Sequence, residues 1–374
     1  MKIAVLTVHR AFNMGALLQA WALKNTLERM GHTVEFPECN TVGMLHHRFL
    51  RPRAYAGALA RLVFKANANV LRFVLSEDWA AWQHRTFVKK RLNSVPCRLE
   101  DLSRYDLIVV GSDQVWNEAI MELDSGLFLG ETVPSSVPLV GYAVSMGDEV
   151  TASTHPERIA AAVRRFAALT VREGFAQRYI TSLGFPPPPL VLDPSLLLTQ
   201  AEYAALEALR LVDEEYLFVY NIGGGDLRPV AEGVAKRIGV RRIVLMKGTL
   251  GWSPTLPPHQ SWGDTPARFL SYVHHAKAVL ACSFHGTAFS VIYQKPFVAL
   301  SYAKRENLGE TRQAKLLEAV GLRDWLLHVS DPVETIAEKM YNALDIEGAV
   351  AVQQLEQLRG ESMDRLKGLL AYGR

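Results

Sequence analysis

Residues 278–300 read AVLACSFHGTAFSVIYQKPFVAL, and this stretch indicates the fold class of the chain. The run Ala278 to Cys282 is short, apolar and unbroken, which is typical of a buried parallel strand. Ala288 to Tyr293 is typical of a short helix that ends before Pro296. His285 is therefore predicted between the carboxyl end of a strand and the amino end of a helix, where open α/β sheets bind ligands. A packed or helix-capping histidine is the alternative.

The same alternation of strand and helix extends over most of the chain. Two strands, Ile3 to Val8 and Tyr216 to Ile222, each precede a glycine-containing loop and a helix, although neither completes the dinucleotide fingerprint and NAD is not predicted. The pattern predicts an α/β protein with two Rossmann-like domains of mostly parallel strands facing a cleft. The other predicted strands are 107–110, 139–143, 168–171, 190–192, 242–246, 278–281 and 297–300.

The length of 374 residues accommodates two domains. We predict an N-terminal domain at 1–198 with a basic helical insert at about 45–92, a C-terminal domain at 199–345, and a C-terminal helix at 346–374. A composition of 49% hydrophobic and 21% charged residues excludes disordered and fibrous classes.

Cysteine usage and hydropathy predict a cytoplasmic location. Cys39, Cys97 and Cys282 are odd in number and widely spaced, which favours neither a disulfide framework nor a zinc site. The apolar run at Met1 to Val8 is too short for the core of a signal peptide. No window approaches the roughly 18 uninterrupted apolar residues that a membrane span requires.

Positive charge is concentrated between Thr41 and Glu100. This block holds eleven lysine and arginine residues against three acidic ones, in a chain whose formal net charge is +3. Within it, Ala54 to Leu75 has apolar residues near helical spacing with cations between them, which predicts a basic amphipathic helix. Such a helix either packs on the first domain or contacts an anionic membrane surface. Nucleic acid is not predicted, since no recognised reader motif accompanies the charge.

Polar residues follow several predicted strands. Gly111 to Asn117 follows the strand 107–110, and a lone Gly-Ser-Asp there would be a turn and helix cap, but further polar and aromatic residues come after it. Arg172-Glu173 follows the strand 168–171, and Asp193-Pro194 follows 190–192. An arginine at a strand end suits binding of an anion, and a simple ion pair with Glu173 or another acid is the alternative.

Six motifs in this order resemble the polysaccharide pyruvyl transferase family, and the resemblance covers residue 3 to about Leu322. They are NMGALLQAWAL at 13–23, GSDQVWN at 111–117, YAVSMG at 142–147, VRE at 171–173, LDPSLL at 192–197 and SFHGT at 283–287. The resemblance implies a two-domain, GT-B-like enzyme. Such an enzyme transfers pyruvate from phosphoenolpyruvate onto two hydroxyls of a sugar as a cyclic ketal. The sugar would belong to a surface or exopolysaccharide or to its lipid-linked precursor.

This resemblance also implies the roles of individual residues. The histidine and arginine of the motifs, with a lysine after the Ser-Tyr segment, line the family's donor site; here they are His285, Arg172 and Lys304. We expect His285 to be the general acid and Asp113 either a base for the attacking hydroxyl or a structural residue. The other expected donor contacts are Ser283, Gly286 and Thr287, and the expected acceptor contacts are Asn13, Gln114, Trp116 and Asn117.

No cofactor is expected besides the donor substrate. No metal site is expected either, because the adjacent pairs His46-His47 and His274-His275 are predicted to point their side chains apart.

One departure from the family pattern leaves the donor open. Ketal-forming members have Arg-Leu-His where this chain has Ser283-Phe284-His285, so one cation is missing. Either Arg172, Lys304 and Arg312 supply the charge, or the scaffold transfers a glycosyl group from a nucleotide sugar. A sugar-binding or assembly protein without catalysis is the third alternative.

Overall fold

Two parallel sheets organise the chain. The computed structural model describes residues 1–11, 13–39, 82–121, 125–147, 155–222, 225–247, 265–345 and 349–373. The chain completes the first sheet by Val171 before it enters the second at Tyr216.

The first sheet has six strands in the order β3-β2-β1-β4-β5-β6, all parallel. Its strand order reverses between β1 and β4, and ligands of doubly wound sheets bind outside the strand ends at such a point. The strands are β1 (Lys2–Leu6), β2 (Thr33–Cys39), β3 (Ser94–Cys97), β4 (Leu107–Val110), β5 (Leu139–Val144) and β6 (Ala168–Val171).

The second sheet has five parallel strands in the order β11-β10-β9-β7-β8. The order reverses between β7 and β9, so the loop after β9 also lies at a topological switch point. The strands are β7 (Tyr216–Asn221), β8 (Arg242–Lys247), β9 (Ala278–Ala281), β10 (Phe297–Ser301) and β11 (Leu326–His328).

Helices connect these strands, as parallel pairing requires. They are α1 (Met14–Arg29), α2 (Glu118–Met121), α3 (Ser125–Phe128), α4 (Pro156–Arg165), α5 (Gly174–Ser182), α6 (Gln200–Tyr203), α7 (Arg228–Arg237), α8 (Pro266–His275), α9 (Phe284–Ile292), α10 (Arg312–Ala319), α11 (Val333–Ala343) and α12 (Ala349–Leu370). Four 3₁₀ helices lie at Glu100–Arg104, Pro194–Leu197, Arg305–Glu310 and Arg323–Trp325, and residues 82–90 are also helical.

A continuous apolar core joins the two halves of the chain. Tyr203 links them, because its ring lies 5.6 Å from Trp21 of α1 and 5.0 Å from Phe289 of α9. The C-terminal helix α12 returns to the first half. There the Ser362 hydroxyl accepts the backbone N–H of Leu192 at 2.9 Å, and Arg359 donates to the carbonyl of Leu196 at 2.9 Å.

The predicted fold class is confirmed, with differences in individual elements. The sequence pattern did not predict β2, β3 or β11. Leu190 to Leu192 does not form a strand, and Leu190 makes an isolated bridge to Val171. Helix α9 begins at Phe284, four residues before the prediction, because the Ser283 side chain caps it. The domain boundaries stay a prediction.

The predicted basic helix, Ala54 to Leu75, lies outside the described residues. Among the helices that the structure describes, none combines the length and the apolarity needed to cross a lipid bilayer.

Candidate functional site

The carboxylate of Asp193 is the centre of a buried polar cluster at the ends of β4, β6 and β9. Its Oδ1 accepts the backbone N–H and the hydroxyl of Ser195 at 2.9 and 2.6 Å. Its Oδ2 accepts from Arg172 and from the Ser112 hydroxyl, the latter at 3.1 Å. Burial alone would raise the pKa of Asp193, but the charge of Arg172 and the hydrogen bond from Ser195 hold the pKa well below its ordinary value. This carboxylate is therefore ionised.

The Arg172 guanidinium is buried and surrounded by carboxylates. Its Nε donates to Glu173 at 3.1 Å, Nη2 donates to the Ser145 hydroxyl at 3.1 Å, and Nη1 donates to Asp193. Asp113 lies 3.9 Å from Nη2. Burial would lower the pKa of Arg172, but these three carboxylates raise it above its ordinary value. Arg172 is thus the hub of an ion-pair network inside the protein.

His285 reaches this network from the opposite half of the chain. It lies in the first turn of α9, and its Nε2 is 3.8 Å from Oδ1 of Asp193. Its ring packs against Gly15 at the start of α1, where an added Cβ would overlap the imidazole. The Nε2 atom is buried and has no hydrogen-bond partner among the residues that the structure describes.

The ring of Phe284 lies near the guanidinium groups of two arginines. Its ring centroid lies 4.9 Å from the guanidinium carbon of Arg172 and 5.9 Å from that of Arg312, which begins α10. Burial raises the pKa of Glu173 above its ordinary value, against the charges of Arg172 and Arg312. The Oε2 atom of Glu173 is buried without a hydrogen-bond partner in the described part of the chain.

The other predicted donor residues build the turn that presents His285. The Ser283 hydroxyl accepts the N–H of Gly286 at 3.0 Å, which caps α9. The Thr287 hydroxyl donates to the carbonyl of Ser283 at 3.0 Å and accepts from Gln313 at 3.0 Å. These side chains are engaged within the protein, and the residue that caps α9 is Ser283, not His285 as the capping alternative had it.

Lys304 lies apart from the buried cluster. It is exposed at the start of the 3₁₀ helix Arg305–Glu310, on the loop after β10. Since β10 neighbours β9, this loop borders the turn that carries His285. Within the described ranges no contact joins Lys304 to that turn.

The predicted acceptor residues divide between the site and the local scaffold. Asp113 is brought to the cluster by a left-handed backbone conformation with a φ of 72°. The side-chain Nδ2 of Asn117 donates a hydrogen bond to Oε1 of Gln114 at 2.7 Å. The Oδ1 of Asn117 is buried without a hydrogen-bond partner in the described residues. Asn13 caps α1 through the N–H groups of Gly15 and Ala16, at 2.9 and 3.2 Å.

Trp116 has a packing role. Its side chain is 1% exposed, its Nε1 donates to the carbonyl of Phe128 at 2.9 Å, and its ring meets the edge of Phe166. The ring presents no open face to a sugar.

Sequence reasoning missed the central position of Asp193 and the contributions of Ser112, Ser145 and Glu173. The sequence does mark Asp193 as a candidate site residue, because it follows a predicted strand and belongs to one of the six motifs. Its meeting with His285 depends on the packing of the two halves, which no local pattern contains.

A separate group of possible metal ligands is formed by Glu207, His274 and His275, whose ligand atoms lie within 4.8 Å of one another. The prediction that His274 and His275 point apart is wrong, since their ring centroids are 4.5 Å apart. Both lie in the last turn of α8, where Glu207 offers one carboxylate to both rings.

The fold and the site together define the class: a two-domain, GT-B-like α/β enzyme with a buried histidine and ion-pair network between its sheets. A sequence model of the polysaccharide pyruvyl transferase family matches residues 13–304, most of the chain. The chain therefore belongs to this family of transferases. A comparison with curated proteins found no match.

Solved structures similar to this chain support the GT-B-like fold. UDP-GlcNAc 2-epimerase from Methanocaldococcus jannaschii has a TM-score of 0.51 at 12% identity, with 100% of both chains covered. Alr3699/HepE from Anabaena, solved in complex with UDP-glucose, has a TM-score of 0.54 at 10% identity, with 98% of this chain and 100% of that chain covered. At these identities the likeness shows the fold alone.

Proposed function

We propose that this enzyme transfers the enolpyruvyl group of phosphoenolpyruvate onto a sugar of a surface or exopolysaccharide, or its lipid-linked precursor, as a cyclic pyruvate ketal. In this reaction the methylene carbon of the donor gains a proton and the bond from C2 to the phosphate oxygen breaks. Two bonds form from C2 to sugar oxygens. One hydroxyl proton balances the proton on the methyl group, and the other leaves with phosphate. No cofactor is required.

The observation that carries this proposal is the position of His285. An imidazole can hold and donate a proton near neutral pH, and the buried Asp193 carboxylate lies 3.8 Å from Nε2 of this one. Its buried Nε2, together with Oε2 of Glu173, lacks a partner among the described residues. Buried polar atoms in proteins are nearly always hydrogen-bonded, so a bound substrate is well suited to form the hydrogen bonds that these two atoms lack.

Donor binding requires cations, because phosphoenolpyruvate carries a carboxylate and a phosphate. Arg172 already faces three carboxylates, so it contributes mainly by offsetting their charge. We assign direct contact with the donor to Arg312, which approaches Phe284 from α10, and to Lys304 on the neighbouring loop. In this arrangement Arg312 supplies the charge that Ser283 does not.

The sugar acceptor is assigned to the loop after β4. Asp113 is positioned beside Arg172 and is suited to take a proton from the attacking hydroxyl. The half-buried Gln114 offers its amide group to sugar hydroxyls, and the buried Asn117 donates to its side-chain oxygen. With a lipid-linked acceptor, the basic segment between Thr41 and Glu100 would hold the enzyme at an anionic membrane surface.

A glycosyl transfer from a nucleotide sugar is the second candidate. It is favoured by one feature, the hydroxyl of Ser283 at the position where ketal-forming members have an arginine. The loop after β7, which contains Gly225 packed against Tyr302, is where a diphosphate would lie on this scaffold.

A thermal-shift screen separates the two candidates, because a ligand that binds only the folded state raises the unfolding midpoint. We expect phosphoenolpyruvate to raise the midpoint and nucleotide sugars to leave it unchanged. Incubation with a panel of soluble saccharides should then release phosphate and give a ketal methyl signal by NMR. A midpoint that rises with a nucleotide sugar and not with phosphoenolpyruvate would replace the proposal with glycosyl transfer.

A further inference from the structure

Glu207, His274 and His275 form a compact group away from the His285 cluster, which we name the Glu207 cluster. Oε1 of Glu207 lies 2.7 Å from Nδ1 of His274 and 3.7 Å from Nδ1 of His275. The three side chains are partly buried, with the carboxylate the most enclosed. An ion could therefore reach them from the surface.

These distances suit a transition-metal ion. Bonds of about 2.0–2.1 Å in tetrahedral geometry place neighbouring ligand atoms about 3.4 Å apart. The ligand atoms of the three side chains lie within 4.8 Å of one another, so small side-chain movements would complete the geometry. Imidazole and carboxylate together favour Zn²⁺ and its neighbours over Mg²⁺ or Ca²⁺, which prefer oxygen ligands alone.

Surrounding groups orient the three side chains, as they do in metal sites of proteins. The other carboxylate oxygen of Glu207 accepts from the Tyr293 hydroxyl at 3.4 Å, and Gln200 contacts Nε2 of His274 at 3.0 Å. Nδ1 of His275 donates to the Ser271 carbonyl at 3.0 Å, which leaves Nε2 of that ring to ligate. Both histidines also lie in the last turn of α8, where the helix dipole favours a positive charge.

The Glu207 cluster also borders a cavity. Glu207 and His274 line a space of about 430 Å³ together with Gln200, Glu356 and Arg359. A site with three protein ligands keeps a coordination position open for water or a ligand. That position would be accessible from the cavity.

We propose that Glu207, His274 and His275 bind a divalent transition-metal ion of the Zn²⁺ class. The site is independent of the proposed pyruvyl transfer. It ties the segment after α6, which carries Glu207, to the end of α8. Its open coordination position presents the metal to a small ligand in the cavity.

Calorimetric titration with zinc chloride tests this proposal. The protein is used without a histidine tag, after treatment with EDTA and exchange into chelator-free buffer. Because the adjacent pair His46-His47 would compete for zinc, the parent protein carries His46→Ala and His47→Ala. We expect one saturable site and a higher unfolding midpoint with zinc.

Two variants and one control locate the bound metal. Glu207→Gln and His275→Ala should each weaken zinc binding at least tenfold, the lower end of what even an outer-shell loss costs. His155→Ala is the matched control, because His155 also faces a glutamate, Glu118 at 3.3 Å, but belongs to no three-ligand group among the described residues. Binding unchanged in both variants, or absent from the parent, would overturn the proposal. Circular dichroism without zinc checks that each variant folds, and Glu207→Gln keeps the size of the side chain.

Discussion

The imidazole Nε2 of His285 lies 3.8 Å from Oδ1 of Asp193, and the two side chains come from opposite halves of the chain. Asp193 is ionised because Arg172 and several hydrogen bonds offset the cost of its burial. The negative charge therefore faces the histidine at the junction of the two sheets. Any change in the packing of the two halves alters the separation of this pair.

Replacement of His285 by alanine should lower turnover of phosphoenolpyruvate by on the order of a hundredfold or more, since positioned proton transfer contributes about that much. Released phosphate, measured with a competent acceptor, gives the rate. His328→Ala, which changes an imidazole bonded to Ser330, serves as the control. Near-normal turnover in His285→Ala would show that another group donates the proton.

Gly15→Ala should reduce turnover without replacing any ionisable group. Its new Cβ would overlap the His285 ring, so the imidazole must move away from Asp193. Gly360→Ala is the matched control, because an added Cβ there meets nothing within 4 Å. Alanine in that helix should stabilise the protein by up to about 1 kcal/mol. Equal kcat values for Gly15→Ala and Gly360→Ala would contradict the positioning of His285 by Gly15.

Local pattern predicted the strand ends that build the site, and packing determined which residues meet there. The strands at 107–110 and 168–171 were predicted with the bounds they have in the structure, because short, mainly apolar segments between turns have few alternatives. The sequence analysis predicted that Trp116 contacts the acceptor. A sequence does not tell whether an aromatic ring after a strand faces the cleft or the core. The convergence of His285 with Asp193 joins residues 92 positions apart, and only the docking of α1, α9 and the 3₁₀ helix at Pro194–Leu197 brings them together.

Arg172→Ala and Arg312→Ala should have different effects. Loss of Arg172 leaves Asp193 and Glu173 buried without their counter-charge, which should lower the free energy of unfolding by about 3 kcal/mol or more. Loss of the half-buried Arg312 should instead raise KM for the donor while the protein stays folded. Denaturant unfolding and steady-state kinetics on both variants measure these effects.

Arg323→Ala removes another half-buried arginine near α10 and is the control. If Arg312→Ala keeps the KM of the parent protein, the assignment of Arg312 to the donor is wrong. If Arg172→Ala keeps its unfolding free energy, the network around Asp193 does not depend on that cation.

The basic segment should bind anionic membranes reversibly. Each well-placed lysine or arginine contributes about 1 kcal/mol of attraction to anionic lipid, and salt screens it. We expect flotation with anionic liposomes at low salt and release at high salt. Joint replacement of Arg61, Lys65 and Arg72 by glutamine should abolish flotation and leave activity on a short soluble acceptor intact. Absence of lipid-dependent flotation at low salt would favour a soluble acceptor.

Acid should destabilise the protein through His9, a buried residue after β1. Burial lowers the pKa of His9 from 6.5 to about 4, against the hydrogen bond to the Thr7 carbonyl and the charge of Glu38. The folded state therefore holds the neutral ring, while the unfolded chain takes up a proton below pH 6.5. The stability that His9 contributes is fully present above pH 6.5 and is lost as the pH falls towards 4.

Denaturant unfolding of the wild type and of His9→Gln between pH 7 and pH 4 measures this contribution. The difference in unfolding free energy between the two proteins should shift by roughly 3 kcal/mol over that range, with the wild type losing more on acidification. His155→Gln removes an exposed histidine and should leave the pH dependence close to that of the wild type. Parallel curves for the wild type and His9→Gln would mean that the His9 ring takes up its proton over the same pH range in the folded and the unfolded protein.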